Sequence, residues 1–269
     1  MPNTDDTARY RVGSVWRALQ IVSTVAQGSA QGSTLSELAH ACGLSKSATH
    51  SLVRTLVDAG YLRAIEPGPR YTLGIVLVHL GDVAARQFPL TEMAAPILRK
   101  LSEETRLTIR LAIADDGYPV FVERIDALDA VRFHAPLGVR ELPHTSAAGK
   151  AILATLTDAE VRRIAEECGL PRRTAKSICD VPTLLHDLAM TRRRGYAIDD
   201  EEDVDGVFCV AAPFFDHRGR CGGALSATGV KVGVPTWRLQ ELGDVVRLGA
   251  EQLTKVLGGT LPAEWEHAR

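Results

Sequence analysis

Lys46, Ser47, His50, Ser51 and Arg54 lie within nine consecutive residues. At about 100° per residue they gather on one side of a helix, opposite Ala48, Leu52, Thr55, Leu56 and Ala59. Cationic and hydroxyl donors crowded into the first two turns of a helix suit the major groove of DNA, where the N-terminal part of an inserted helix reads base edges. Thr49 joins this set at the edge of the apolar stripe, and Ser45 is placed to cap the helix. Other residues with chemical reach form weaker sets. Gly149-Lys150 falls short of a phosphate loop, which requires glycine where His144 stands and Ser or Thr where Ala151 stands. Cys209 with His144 or His217 offers a cysteine–histidine pair, but no local nucleophile signature surrounds the thiol. His134 and His144 are ten apart with no neighbouring ligand residue.

The elements around the basic helix agree with a DNA-binding module. Val15, Ala18, Leu19, Val22 and Val25 have helical spacing. Gly28 to Ser33 reads as a loop, and Thr34 followed by Glu37 is a capping box that opens a second helix. Gly43 ends that helix, Ser45 starts the third, and Gly60 stops it. Tyr61–Ile65 and Arg70–Leu73 read as strands around the turn Glu66-Pro67-Gly68-Pro69. A hairpin directly after such a helix is a wing, with Arg63 and Arg70 placed to meet phosphate or minor groove.

Beyond Gly74 the pattern is helical to Gln87, and again from Leu90 to Thr105. Leu107, Ile109, Leu111 and Ile113 then alternate with Thr108, Arg110, Ala112 and Ala114, which is strand periodicity. Further strands are expected at 118–125, 131–135, 196–199, 206–212 and 220–228, and helices at 146–156, 158–168, 183–194 and 234–257. The layout is α+β. Three segments follow: a winged helix-turn-helix over 1–74, a linker helix over 75–89 whose apolar face suits a second copy, and an α+β domain over 90–269.

At 269 residues two domains are the natural expectation. The formal charge is −2. Residues 1–75 carry seven Lys and Arg against five Asp and Glu, and the rest 24 against 28, so the excess of positive charge sits in the first segment. Cys42, Cys168, Cys179, Cys209 and Cys221 are scattered without a C-x-x-C, which points to a reducing cytoplasm rather than to disulfides or zinc. No apolar run is long enough to span a membrane, and the first residues lack a signal-peptide core.

The segments SVWRALQIV, LSELAHACGLSKSATH, TLVDAGYL, RYTLG, LPHTSAAGKAILA, RRRGYAIDDEEDVDGVFCVAAPFFD and GGALSATG together resemble the IclR family of bacterial transcription regulators. The resemblance runs from about Val12 to Leu257. It implies a winged helix-turn-helix joined by a linker helix to a GAF-like effector domain, dimers or tetramers on operator DNA, and a small metabolite that shifts the DNA-competent state. Carried over residue by residue, the effector positions are Ala147, Ala148, Asp199, Cys209, Ser226 and Thr228. Free N–H groups at the start of the helix after Ser146, beside two hydroxyls on one strand face, suggest a small organic acid. The acidic run 199–203 reads alternatively as a solvated turn, Cys209 as a small buried hydrophobe, and Ser146 as a helix cap.

The chain departs from the family at Ser51, often Arg there, with Arg54 a turn later. EETRLTIRLAI lacks the frequent Gly-Glu before the first sheet strand. The expected function is therefore a cytoplasmic, effector-responsive regulator, with repression as the default and no cofactor. A DNA-binding oligomer without ligand control and a cysteine-dependent enzyme are the alternatives.

Overall fold

The computed structural model describes residues 12–86, 89–127, 136–262 and 265; the strand expected at 131–135 lies outside them. The chain divides into two compact units, 1–87 and 88–269.

In the first unit α1 (Gly13–Gln27), α2 (Leu35–Ala41) and α3 (Lys46–Asp58) surround Ile21, Val25, Leu38, Val53 and Leu56. The capping box forms in full. Thr34 N–H donates to Glu37 Oε2 at 2.7 Å, and Glu37 N–H donates to Thr34 Oγ1 at 3.3 Å. Ser45 Oγ caps α3 by accepting from Ala48 N–H at 3.2 Å. The wing strands β2 (Leu62–Ile65) and β3 (Arg70–Leu73) pair antiparallel. Part of the expected loop is a third strand, β1 (Ser33–Thr34), which pairs with the other side of β3. Tyr71 and Leu62 carry this sheet into the helical core. α4 (Val76–Arg86) follows, with Ile75 and Val78 exposed.

The stripes expected on the first and third helices are turned from their true positions. On α1, Val15 and Leu19 are exposed, and Ile21 fills the core with Val25. On α3 the buried line is Thr49, Val53 and Leu56, while Thr55 and Ala59 are exposed. Val53 and Ile21 are apolar residues that the expected stripes omit, and each draws its helix face toward the core.

The second unit is built on a five-stranded antiparallel sheet, ordered β5-β4-β8-β7-β6. Its strands are β4 (Thr108–Asp115), β5 (Tyr118–Ile125), β6 (Ala197–Asp200), β7 (Val207–Phe215) and β8 (Cys221–Val230). α5 (Pro89–Thr105) and α9 (Thr236–Val256) cover one face. There Ile109, Leu111, Val210, Phe214, Leu225 and Ala227 meet Leu98, Leu101, Leu242 and Val246. Side chains alternate across a strand, so the intervening residues form the other face. Short α6 (Ala147–Leu153) lies on that face through Ala147, Ala148 and Ala151, against Ala112, Phe121, Cys209, Ala211 and Ala224. α7 (Asp158–Cys168) and α8 (Val181–Arg194) close an outer layer around Leu153, Ile164 and Leu188.

Candidate functional site

The basic helix presents the expected donors. Lys46, Ser47, His50, Ser51 and Arg54 are all exposed. The hydroxyls are partly occupied along the helix: Ser47 Oγ sits 3.2 Å from Ser45 Oγ, and Ser51 Oγ donates to Ser47 O at 3.2 Å. Lys46, His50 and Arg54 make no ion pair among the described residues, so their donors face solvent. Thr49 does not belong to this set. Its side chain is fully buried and its hydroxyl donates to Ser45 O at 3.0 Å. On the wing, Arg63 is exposed. Arg70 is partly committed within the unit, with Nη1 donating to Gly32 O at 2.9 Å and lying 3.9 Å from Glu37.

In the second unit the strand register sets the geometry. Asp199, Cys209, Thr228 and Thr108 are successive register partners across β6, β7, β8 and β4. Ala197, Ala211, Ser226 and Arg110 form the adjacent row. Both rows face α6. Four of the six residues expected at the effector site therefore lie on one buried sheet face, and Ala147 and Ala148 lie on the helix over it.

The first row is satisfied by its own surroundings. Asp199 Oδ1 accepts the Glu202 N–H at 2.7 Å and the Asp203 N–H at 3.4 Å, so this carboxyl orders the acidic turn. Its burial pushes the pKa up from 3.8 to about 7, against the lowering effects of the Glu202 N–H and the Lys150 charge. Cys209 Sγ and Thr228 Oγ1 are 3.2 Å apart. Burial holds the Cys209 thiol up at about 12, far from a reactive thiolate. Thr108 Oγ1 accepts the Ala127 N–H at 3.3 Å.

The second row is not satisfied. Ser226 Oγ is buried without a hydrogen-bond partner, and so is Arg110 Nε. Arg110 was not among the residues singled out from the sequence. It is 6% exposed, donates through Nη1 to Glu141 Oε1 at 3.0 Å, and stacks with its guanidinium carbon 3.7 Å from the Phe121 ring centre. Burial raises the Glu141 pKa, and the Arg110 charge opposes that rise. The available signal was a lone arginine among small residues on one face of a period-two strand.

The start of α6 is more occupied than the sequence suggests. Ser146 Oγ takes the Gly149 N–H at 3.0 Å, and Gly149 is packed so tightly that a Cβ there would lie 2.4 Å from Pro143 O. Nor is the acidic run a solvated turn. Lys150, fully buried, donates to Glu202 at 2.6 Å and lies 3.2 Å from Asp187. Asp203 accepts from Thr145 Oγ1 at 3.0 Å, and Lys231 pairs with Asp200 at 2.8 Å.

The cysteine–histidine pair is not assembled. Cys209 meets Thr228. His144 Nε2 lies 3.1 Å from Pro171 O, its ring pKa lowered chiefly by burial, and His217 is exposed and pairs with Arg218 Nε at 3.3 Å. No group of three metal-ligating side chains occurs among the described residues, and no helix among them is long and apolar enough to cross a membrane.

Residues 83–255 match the family model described as bacterial transcriptional regulator IclR C-terminal, and residues 14–65 match the IclR helix-turn-helix domain. The acetate operon repressor of Salmonella typhimurium is 32% identical over 252 residues, which cover 93% of this chain and 92% of that protein. The crystal structure of an IclR regulator from Alicyclobacillus acidocaldarius aligns with a TM-score of 0.81 at 25% identity, covering 93% of this chain and 100% of that one. An IclR homologue from Microbacterium hydrocarbonoxydans, crystallised with 4-hydroxybenzoate, aligns with a TM-score of 0.74 at 22% identity, covering 90% and 99%.

Proposed function

Because the chain belongs to the IclR family of bacterial transcriptional regulators, we propose that it acts on operator DNA through α3 and is controlled by a small organic acid held against the buried sheet face of its second unit. It is a transcription regulator and not an enzyme, as its relatives are. One observation carries the DNA-contact assignment. Lys46, His50 and Arg54 are exposed along α3 while Thr49, Val53 and Leu56 are buried beneath it, so the helix is anchored in its unit and leaves a line of cationic donors open. Ser47 and Arg63 complete the contact set, with Arg70 as a secondary phosphate contact.

Residues 1–74 form the DNA-binding module, 75–89 the linker and 90–269 the effector and oligomerisation domain. Exposed Ile75 and Val78 suit pairing with a second copy of the chain, and a two-fold dimer reads a pseudo-palindromic operator. The acid sits near Ala147, Ala148, Asp199, Cys209, Ser226 and Thr228. The 4-hydroxybenzoate bound by the neighbour from Microbacterium is an acid of the class proposed. Repression is favoured over activation, since occupying a promoter needs no contact with polymerase and the Salmonella relative is named a repressor. The protein works in the cytoplasm.

The test is selection of fragmented genomic DNA on the purified protein at about 0.15 M salt, because binding strength depends on ionic strength. The expected result is a few enriched sites sharing one inverted repeat. Absence of enrichment by the folded protein, both alone and with metabolite extract, would overturn the reading.

A further inference from the structure

We propose that Arg110 is the specificity-determining anchor of the effector site, taking the effector's carboxylate on its free Nε edge with the Ser226 hydroxyl as an additional donor. The inference rests on the reading that this sheet face holds an effector, and it names the group that selects one.

Arg110 and Ser226 are register partners on adjacent antiparallel strands, so both side chains leave the sheet toward α6. Both are more than nine-tenths buried, and each carries a polar atom without a partner, Nε and Oγ. Buried donors left unpaired in a native chain call for an explanation. The adjacent row shows that the environment can satisfy such groups: Asp199, Cys209, Thr228 and Thr108 all have partners within the unit. Within these two rows, the unsatisfied atoms are confined to one cross-strand pair.

The guanidinium is held as a fixed tool rather than a mobile charge. Its plane rests on Phe121 at 3.7 Å, and Nη1 is tied to Glu141. The Glu141 bond occupies the nitrogen at the other side of the fork. It leaves Nε, which together with Nη2 forms the edge that meets a carboxylate through two parallel hydrogen bonds. Arg247 on α9 also leaves a buried Nε unpaired while its other nitrogens hold Glu251 and Asp244, but only at Arg110 does a second unpaired donor, the Ser226 hydroxyl, stand on the register partner. Glu141 also offsets much of the positive charge. Selection therefore depends on the paired donor geometry more than on net charge, and a lysine at this position would not reproduce it. The ligand class that fits is a small acid with one planar carboxylate.

The experiment uses the full chain and a panel of acids with matched neutral amides, such as benzoate with benzamide, 4-hydroxybenzoate with its amide, and pyruvate with pyruvamide. Thermal shift identifies a binder, and isothermal titration measures it against wild type, Arg110→Lys and Ser226→Ala. The expected result is that at least one acid binds and its amide does not. Arg110→Lys is expected to weaken that acid by tenfold or more, and Ser226→Ala by a smaller factor. Ser226→Ala removes an unpartnered hydroxyl, so it folds as wild type does and keeps the test open should the lysine variant fail to fold. Undiminished affinity in Arg110→Lys, or in Ser226→Ala alone where the lysine variant does not fold, overturns the anchor and leaves the effector reading standing. Equal binding of acid and amide does the same. No binding by any acid of the panel overturns the anchor and the effector reading together.

Discussion

Lys150 Nζ lies 2.6 Å from Glu202 Oε1, and the lysine side chain is completely buried. The pair ties α6 to the turn after β6, and Asp187 on α8 adds a second carboxylate at 3.2 Å. Burial pushes the Glu202 pKa up, and Lys150 is the main influence holding it down. Removing the cation leaves two carboxylates facing each other in a poorly solvated site. Lys150→Met is therefore expected to cost about 3–5 kcal/mol, the usual penalty for orphaning a buried charge. Glu202→Gln should cost less, because Asp187 still neutralises the ammonium. The double variant should be less destabilised than the sum of the two. Urea denaturation followed by tryptophan fluorescence would measure all three, and additive losses would show that the groups do not act as one network.

Asp199 makes the stability of the second unit depend on pH. Its folded pKa is about 7 against 3.8 for the free group, because burial disfavours the carboxylate. Between those values the folded chain holds a proton that the unfolded chain has lost. Stability from this group is then greatest near pH 4, falls as pH rises toward 7, and is flat above. Across that window the change amounts to roughly 4 kcal/mol. Asp199→Asn keeps an oxygen to accept the Glu202 and Asp203 N–H groups while removing the titration. The variant should come closest to wild type near pH 4 and melt at an increasingly higher temperature than wild type as pH rises to 8. A difference in melting temperature that stays constant from pH 4 to pH 8 would show that the carboxyl is not held protonated.

The features legible in the sequence are those decided within a few residues. The Thr34–Glu37 capping box, the Ser45 cap and the wing hairpin each depend on near neighbours, and all are present. The direction in which a helix faces its core is a tertiary matter. Thr49 and Thr55 are alike in sequence, yet Thr49 packs with Val53 and Leu56 while Thr55 is exposed. The roles of Arg110 and Lys150 were hidden for the same reason. Glu141 lies 31 residues from Arg110, and Glu202 lies 52 from Lys150, so no local pattern joins them. Ser226 was legible as one of two hydroxyls on a strand face, but only the register separates it from Thr228, which Cys209 occupies.

Arg106 holds a backbone conformation that glycine adopts without strain. It has φ 59° directly after α5, with its N–H donating to Ser102 O at 2.8 Å. This left-handed conformation costs a side-chain-bearing residue about 1–2 kcal/mol. The arginine side chain is exposed and makes no hydrogen bond among the described residues that would repay the strain. Arg106→Gly relieves it, less the extra entropy glycine brings to the unfolded chain, for a net gain of about 0.5–1 kcal/mol. A higher urea midpoint with an unchanged slope is the expected observation. A lower midpoint would mean that the exposed arginine makes a contact worth more than the strain.

Thr49 and Arg54 separate the two faces of α3 by experiment. Thr49 Oγ1 donates to Ser45 O, which also accepts the Thr49 N–H at 2.9 Å, so losing the hydroxyl orphans no carbonyl. Thr49→Val keeps the volume of a fully buried residue. It should change stability by less than about 1.5 kcal/mol, and it should leave operator affinity unchanged. Arg54 is exposed on the opposite side. Arg54→Ala should leave stability alone and weaken binding of a selected operator by about 1–3 kcal/mol if the side chain reads a base. Fluorescence anisotropy on the operator and on an unrelated duplex, at several salt concentrations, distinguishes the roles. Loss on the operator alone marks base reading. Equal loss on both duplexes, with a shallower salt dependence, marks a phosphate contact. A large loss from Thr49→Val with none from Arg54→Ala would mean that the helix meets DNA by its other face.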